Sequence, residues 1–198
     1  ASLEQKRNSL LYKYEKFISK KFNRNFNHKY KNILNWSIKN SGDFWSSIWD
    51  FSKIKGLKSN YKIKRSNIFY KNIFLPKSKL NFAENLLSKN NKDKAITFIS
   101  ENRFREEKSW QQLNNDVSKV CKFLKKIKIK KKDRVAAYLP NLIETVESFL
   151  ATSAIGSIWS SCSPDFGTNG VIERFSQINP KILIICDRYF YNGKEINV

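Results

Sequence analysis

Residues 134–187 read RVAAYLP (134–140), NLIETVESFLATSAIGS (141–157), IWSSCSPDFG (158–167), TNGVIERFSQINP (168–180) and KILIICD (181–187). Three short apolar runs, Val135 to Leu139, Ile158 to Cys162 and Ile182 to Ile185, alternate with segments whose apolar residues recur every three or four positions. Runs of that kind mark strands covered on both faces, and the segments between them have the period of crossover helices. The expected unit is βαβαβ, the first part of a doubly wound α/β domain whose parallel sheet is incomplete in this chain. Pro140 should stop the first strand. Asn141, with Glu144 three residues on, is expected to cap the first crossover helix, whose apolar face is Leu142, Ile143, Val146, Phe149, Leu150 and Ala154. Gly156 fits its C-terminal stop, and Glu144 and Glu147 fall on its polar face, where solvation is expected. Thr168 or Asn169 is the expected cap of the second crossover helix.

Working back toward the N-terminus, KAITFIS (94–100) reads as a strand, with ENRFREEK (101–108) turning back as a hairpin. Ser109 should cap a helix with Trp110, Leu113, Val117, Val120, Cys121 and Leu124 on one stripe, and the basic run 125–133 suits its C-terminal dipole. The polar SKNNKD (88–93) is the expected boundary between an N-terminal helical cap (1–88) and the α/β domain (89–198). Within the cap, LNFAENLL (80–87) reads as a short helix, and SNIFYKNIFLP (66–76) as an edge strand or irregular crossing ended by Pro76. Ser41 or Asp43 should cap a helix carrying Phe44, Trp45, Ile48 and Trp49, an aromatic face expected to pack on the larger domain. Tyr30 to Ile38 reads as a helix, and Leu3, Leu10, Leu11, Tyr14, Phe17 and Ile18 as one earlier amphipathic helix.

Composition bounds the rest. With 40% hydrophobic and 14% aromatic residues, the 198-residue chain can bury a core, which excludes a disordered class. The net charge of +21 would suit nucleic acid or an anionic membrane, but the lysines are spread over helices and loops among many Asn and Ile, the look of a general compositional bias. Three separated cysteines, Cys121, Cys162 and Cys186, offer neither a metal spacing nor a closed disulfide framework and point to a reducing, cytoplasmic setting. No apolar run reaches the length of a membrane span. The absence of Met and the end on Val198, directly after a strand pattern, suggest a fragment of a longer protein.

Chemistry is sparse. There is no GxxxxGK phosphate loop, GxGxxG, GxSxG elbow or Cys/His cluster. His28 sits in a polar stretch that fits a surface or capping role, Cys121 falls on a buried stripe, and Ser160, Ser161 and Ser163 have no visible base. SSCSPDFGTN (160–169) follows a strand and precedes a helix, so it lies at the carboxyl end of the sheet, where open α/β folds bind ligands. The helix start beyond it could meet an anion; a plain βα turn shaped by Pro164, Asp165 and Gly167 explains the same residues.

SGDFWSSIWDF (41–51), LNFAENLL (80–87), RVAAYLPN (134–141) and above all ATSAIGSIWSSCSPDFG (151–167) resemble the N-terminal part of the acetoacetyl-CoA synthetase branch of the acyl-adenylate-forming, AMP-binding superfamily. The likeness runs from about Tyr30 to Lys194 and implies the large adenylate-forming domain for the α/β unit. It implies a ligase that joins ATP and acetoacetate into an acyl-adenylate with loss of pyrophosphate, then transfers the acyl group to CoA with release of AMP. Mg2+ would bridge the phosphates. The family's nucleotide loop, acidic residues and mobile-domain lysine have no counterpart in these residues, so the expectation is an inactive fragment with no catalytic or metal-binding residue of its own. Related acetyl-CoA synthetases hold the CoA adenine and phosphates by the loop after the equivalent strand and by an arginine pair after the next. By position these fall on Ser163, Pro164 and Asp165, and on Tyr191 and Lys194. Tyr191 and Lys194 stand where the arginines would be, which loses the planar phosphate fork and keeps one point charge; an exposed lysine beside a Tyr-Asn-Gly turn is the plainer account of Lys194. The implied partner is a small acid, with neither nucleic acid nor membrane. An acetyl- or propionyl-CoA synthetase, or a basic nucleic-acid-binding module, are the competing readings; the oligomeric state is not readable from the chain.

Overall fold

The computed structural model describes residues 2–101 and 104–198, apart from the Leu3 side chain. It divides into two compact units, 1–80 and 81–198.

The first unit opens with two helices, α1 (Leu3–Asn8) and α2 (Leu10–Phe22), where the apolar spacing predicts one. Ser9 separates them. Its hydroxyl accepts from the Tyr12 N–H and donates to the Lys6 carbonyl at 2.7 Å, offering the backbone a partner outside the helical ladder. Helices α3 (Tyr30–Lys39) and α4 (Ser41–Phe51) are joined by Asn40 alone, which caps both and turns its amide back to the Trp36 carbonyl. Ser41 and Asp43 are therefore inside α4 and cap nothing. Tyr14, Ile18, Phe26, Ile33 and Trp36 are buried, with Phe17, Phe22, Phe44, Ile48 and Phe51 packed around them. The aromatic face of α4 is thus covered by α2 and α3 of its own unit, with Phe44 edge-on to Tyr14 and Trp36; Trp45 remains exposed. His28 is exposed, donates its backbone N–H to buried Glu15 at 2.8 Å and stacks on Tyr12.

The lysine-rich stretch beyond α4 folds into two short antiparallel pairs. Strand β1 (Gly56–Leu57) meets β4 (Lys79–Leu80), and β2 (Ile63–Lys64) meets β3 (Ile73–Phe74), with a 3-10 turn at Phe69–Lys71. Gly56, at φ +151°, brings its backbone so near Lys79 that a Cβ would lie 2.4 Å from the carbonyl oxygen, an approach open to glycine alone.

The second unit starts with α5 (Phe82–Leu86), capped by Asn81. Strands β5 (Lys94–Ile99) and β6 (Arg105–Ser109) form the expected hairpin; Asn102 and Arg103 of its turn lie outside the described residues. Ser109 caps α6 (Trp110–Lys126) in a reciprocal box with Gln112. Then come β7 (Arg134–Tyr138), α7 (Ile143–Ala154), β8 (Ile158–Cys162), α8 (Thr168–Ile178) and β9 (Ile182–Ile185), the βαβαβ unit in full, with all strands parallel and ordered β8-β7-β9. A hairpin of β10 (Arg188–Tyr191) and β11 (Lys194–Asn197) follows. Val135 packs with Leu113, Val117, Leu124, Leu150 and Ala151 of α6 and α7, while Ala136 and Tyr138 meet Phe175, Val171 and Ile178 of α8. Both faces of β7 are covered; β9 is half-covered on alternate residues only, and in β8 Cys162 alone is buried.

Two expectations around α7 are corrected. The Leu142 N–H bonds the Pro140 carbonyl at 2.9 Å in a tight turn centred on Asn141, so the cap position passes to Leu142 and Asn141 bonds no helix N–H. Glu147 is not solvated. It is buried and accepts from Lys108 of β6 at 2.7 Å, while Lys108 also donates to Asp116 of α6 at 2.9 Å. Burial opposes the Lys108 ammonium, but the hydrogen bonds to Glu147 and Asp116 overcome it and hold it charged well above the ordinary lysine value. The helix ends as expected: Gly156 at φ +75° directs its own N–H to Ser153 and that of Ser157 to Thr152, a Schellman motif.

Candidate functional site

In the order β8-β7-β9 the first strand is central, so the chain leaves β7 toward one side and reaches β9 on the other. The carboxyl ends of β7 and β9 flank that change of direction, the place where open α/β sheets form a ligand crevice. Three segments meet the solvent there: 139–142 after β7, 163–167 after β8 and 186–187 after β9.

Tyr138, the last residue of β7, holds the second of these. Its hydroxyl lies 2.8 Å from the Pro164 carbonyl and 2.9 Å from that of Phe166, donating its single proton between them. Within the loop, Ser163 Oγ donates to Asp165 Oδ2 at 2.8 Å and the Phe166 N–H bonds the Ser163 carbonyl. Helix α8 then begins at Thr168 with Gly167 as its cap. Thr168 and Asn169 are already helical, so their side chains do not cap the helix they begin. The Arg174 guanidinium lies over the Phe166 ring, 4.3 Å from its centre.

The β10/β11 hairpin carries the other two predicted site residues. Asn192 (φ +51°) and Gly193 (φ +70°) are both left-handed, the type I′ turn that Asn-Gly favours, and Tyr191 and Lys194 face each other across its closing pair. Strand alternation puts Tyr189, Tyr191, Lys194 and Ile196 on one face and Arg188, Phe190, Glu195 and Asn197 on the other. Arg188 is engaged on that second face by Glu195 at 2.7 Å and by Asp187. On the first face Tyr189 feels the loop: burial and then the Asp165 charge raise its hydroxyl above the usual tyrosine value.

The five predicted residues therefore form two groups. Ser163, Pro164 and Asp165 make one hydrogen-bonded loop, and Tyr191 and Lys194 a cross-strand pair. Tyr189 shares the face of Tyr191 and Lys194, and among the described residues no hydrogen bond or ion pair joins the two groups directly. Tyr138 and Tyr189 have no place in the sequence reading. A tyrosine ending a strand at the carboxyl edge, and an Asn-Gly pair between YFY and KEIN, are the signals that could have found them. Beside the hairpin, a cavity of about 580 Å³ is bounded by Phe98 and Phe104, by Pro140 and Leu142, and by Arg188 and Phe190. Glu101, which also lines it, accepts from the Gly193 N–H at 3.1 Å.

A solvated surface with a lysine, two tyrosines and loop hydroxyl and carbonyl groups suits a nucleotide, through one phosphate contact and an aromatic face for a base. It does not suit a metal: among the described residues no three His, Cys, Asp or Glu side chains converge, and no step through Mg2+ follows from them. No helix among the described residues is long and apolar enough to cross a membrane.

Comparison with known proteins gives a consistent set of likenesses. The family described as AMP-binding enzyme matches residues 84–197. The acetoacetyl-coenzyme A synthetase of Rhizobium meliloti (strain 1021) is 40% identical over 182 residues, 92% of this chain and 28% of that protein. The acetoacetyl-CoA synthetase of Xenopus tropicalis is 42% identical over 170 residues, 84% of this chain and 25% of its own length. The chain thus spans about a quarter of these curated relatives. Among solved structures, an acetoacetyl-CoA synthetase from Streptomyces lividans superposes with a TM-score of 0.91 at 25% identity, over 99% of this chain and 31% of that one.

Proposed function

Because the chain belongs to the AMP-binding enzyme family, we propose that it is the N-terminal part of an ATP-dependent acetoacetate:CoA ligase, its first 88 residues a helical cap and the rest the start of the adenylate-forming domain. In that reaction a carboxylate oxygen of acetoacetate attacks the α-phosphorus of ATP and pyrophosphate leaves. The CoA thiol then gives up its proton and attacks the acyl carbon, and AMP leaves. Mg2+ would accompany the phosphates from residues outside this chain, and the setting would be cytoplasmic. The residues present here contribute to holding CoA: Lys194 meets a phosphate, Tyr191 flanks it, and Ser163, Pro164 and Asp165 border the nucleotide on the loop held by Tyr138.

The observation that carries the reading is continuity. The likeness to an acetoacetyl-CoA synthetase covers 92% of the chain in sequence and 99% in structure, so it includes both units and both halves of the candidate surface. The test is AMP release by the full-length protein with acetoacetate, acetate or propionate, each with ATP, Mg2+ and CoA. Acetoacetate should give the highest kcat/KM. A preference for acetate or propionate moves the chain to a sister specificity, and no AMP with any of the three ends the ligase reading.

A further inference from the structure

The turn that presents Tyr191 and Lys194 is tied to a segment remote in sequence. In a two-residue hairpin the closing pair uses its own N–H and C=O groups, and the N–H of the second turn residue is left outside the ladder. Here that donor is Gly193, and Glu101, two residues beyond β5, accepts its proton at 3.1 Å. Strands β10 and β11 pair only with each other among the described residues, and a lone two-stranded hairpin is marginal in water. The cavity of about 580 Å³ lies between this hairpin and the β5/β6 hairpin, so an apolar seam does not fill that gap. Arg188 is turned to Glu195 and Asp187 of its own segment. The Glu101 oxygen gives that donor an acceptor within the protein, and it acts at the tip, where the lever on the closing pair is shortest.

From this geometry we infer that Glu101 is a positioning residue for the CoA-binding face: it holds the Asn192–Gly193 turn, and so fixes where Tyr191 and Lys194 point, without touching CoA itself. The inference rests on the reading of that face as a CoA contact. Two readouts in the full-length protein separate the claims. The first is the KM for CoA, ATP and acetoacetate in Lys194→Ala, Glu101→Ala and Glu101→Gln. Glu101→Ala should raise the KM for CoA about three- to tenfold, with the KM for ATP and kcat unchanged. Glu101→Gln keeps an acceptor oxygen and should stay within about twofold of the parent. Adding Glu101→Ala to Lys194→Ala should cost little further, because the group being aimed is already gone. The second readout is hydrogen exchange of the 188–197 segment, which should quicken in Glu101→Ala and not in Glu101→Gln. If Lys194→Ala leaves the CoA dependence unchanged, the CoA reading falls and this inference with it. If Lys194→Ala weakens CoA binding but Glu101→Ala changes neither the KM nor the exchange, the inference alone falls. Equal damage from Ala and Gln would overturn it as well, since charge rather than an acceptor at the turn would then be what matters.

Discussion

A single hydroxyl organises the carboxyl end of the sheet. Tyr138 reaches two carbonyls of the 163–167 loop, and its ring packs with Phe175, Val171 and Ile178, so Tyr138→Phe removes the bond and keeps the packing. A neutral hydrogen bond of this kind contributes about 1 kcal/mol. Tyr138→Phe in the full-length protein should therefore raise the KM for CoA by about fivefold and leave the KM for ATP unchanged; steady-state kinetics with an unaltered CoA dependence would detach the loop from the site. Tyr138 also marks a limit of the sequence reading at this scale. Strand and helix periods fix where a βα loop must fall, and so put Ser163, Pro164 and Asp165 at the carboxyl end of the sheet. The hydroxyl that holds them comes from a neighbouring strand, 26 positions away, and no local period records such a contact. Glu147 shows the same limit with the opposite sign: its place on the polar side of α7 predicts water, and Lys108, 39 residues earlier, supplies a buried partner instead.

At the scale of elements, helices α2, α3 and α4 are held by aromatic packing, and α2 and α4 also by an ion cluster at one end. Asp50, in the last turn of α4, accepts from Lys21 of α2 and from Lys58 at 2.6 Å, and Lys58 also reaches the Ser46 carbonyl. Partial burial alone would push the Asp50 carboxyl up, but the two ammonium groups outweigh it and hold it below its ordinary value of 3.8. A folded-state value below the unfolded one stabilises the fold above pH 3.8, and that contribution is lost as pH falls through the depressed value. Asp50→Asn should therefore cost about 0.5–1 kcal/mol near neutral pH, the range for a half-exposed cluster, and little at pH 3. Thermal unfolding of both proteins across that range checks this; a gap of equal size at both ends would exclude the carboxylate as its source. Existence and type of most elements follow from periodicity: α3, α4, α6, α7, α8 and the three parallel strands fall where three- and four-residue spacing or short apolar runs put them. Boundaries follow less well. Asn40, Leu142 and Gly167 take the cap positions expected of Ser41 or Asp43, Asn141, and Thr168 or Asn169. In each case the chain's path into the helix, rather than the best capping side chain, decides which residue sits there.

At the scale of the whole chain, the parallel sheet has a covered centre and two bare margins. Among the described residues nothing pairs with the outer edge of β8 or β9, and Ile158, Leu183 and Ile185 are 51%, 49% and 59% exposed. Unpaired backbone groups beside apolar side chains are a template for another strand. The 198-residue chain alone should therefore self-associate as its concentration rises, and Leu183→Lys with Ile185→Lys should suppress this. Sedimentation velocity up to about 100 µM reads it directly; a monomer throughout would mean the margins are harmless. The order β8-β7-β9 has a consequence for synthesis as well. The strand translated first is the one that ends in the middle. A ribosome releasing this chain delivers the central template before either flank, and each later strand joins a margin that is already waiting. Among these three strands no ladder has to open to admit a later one.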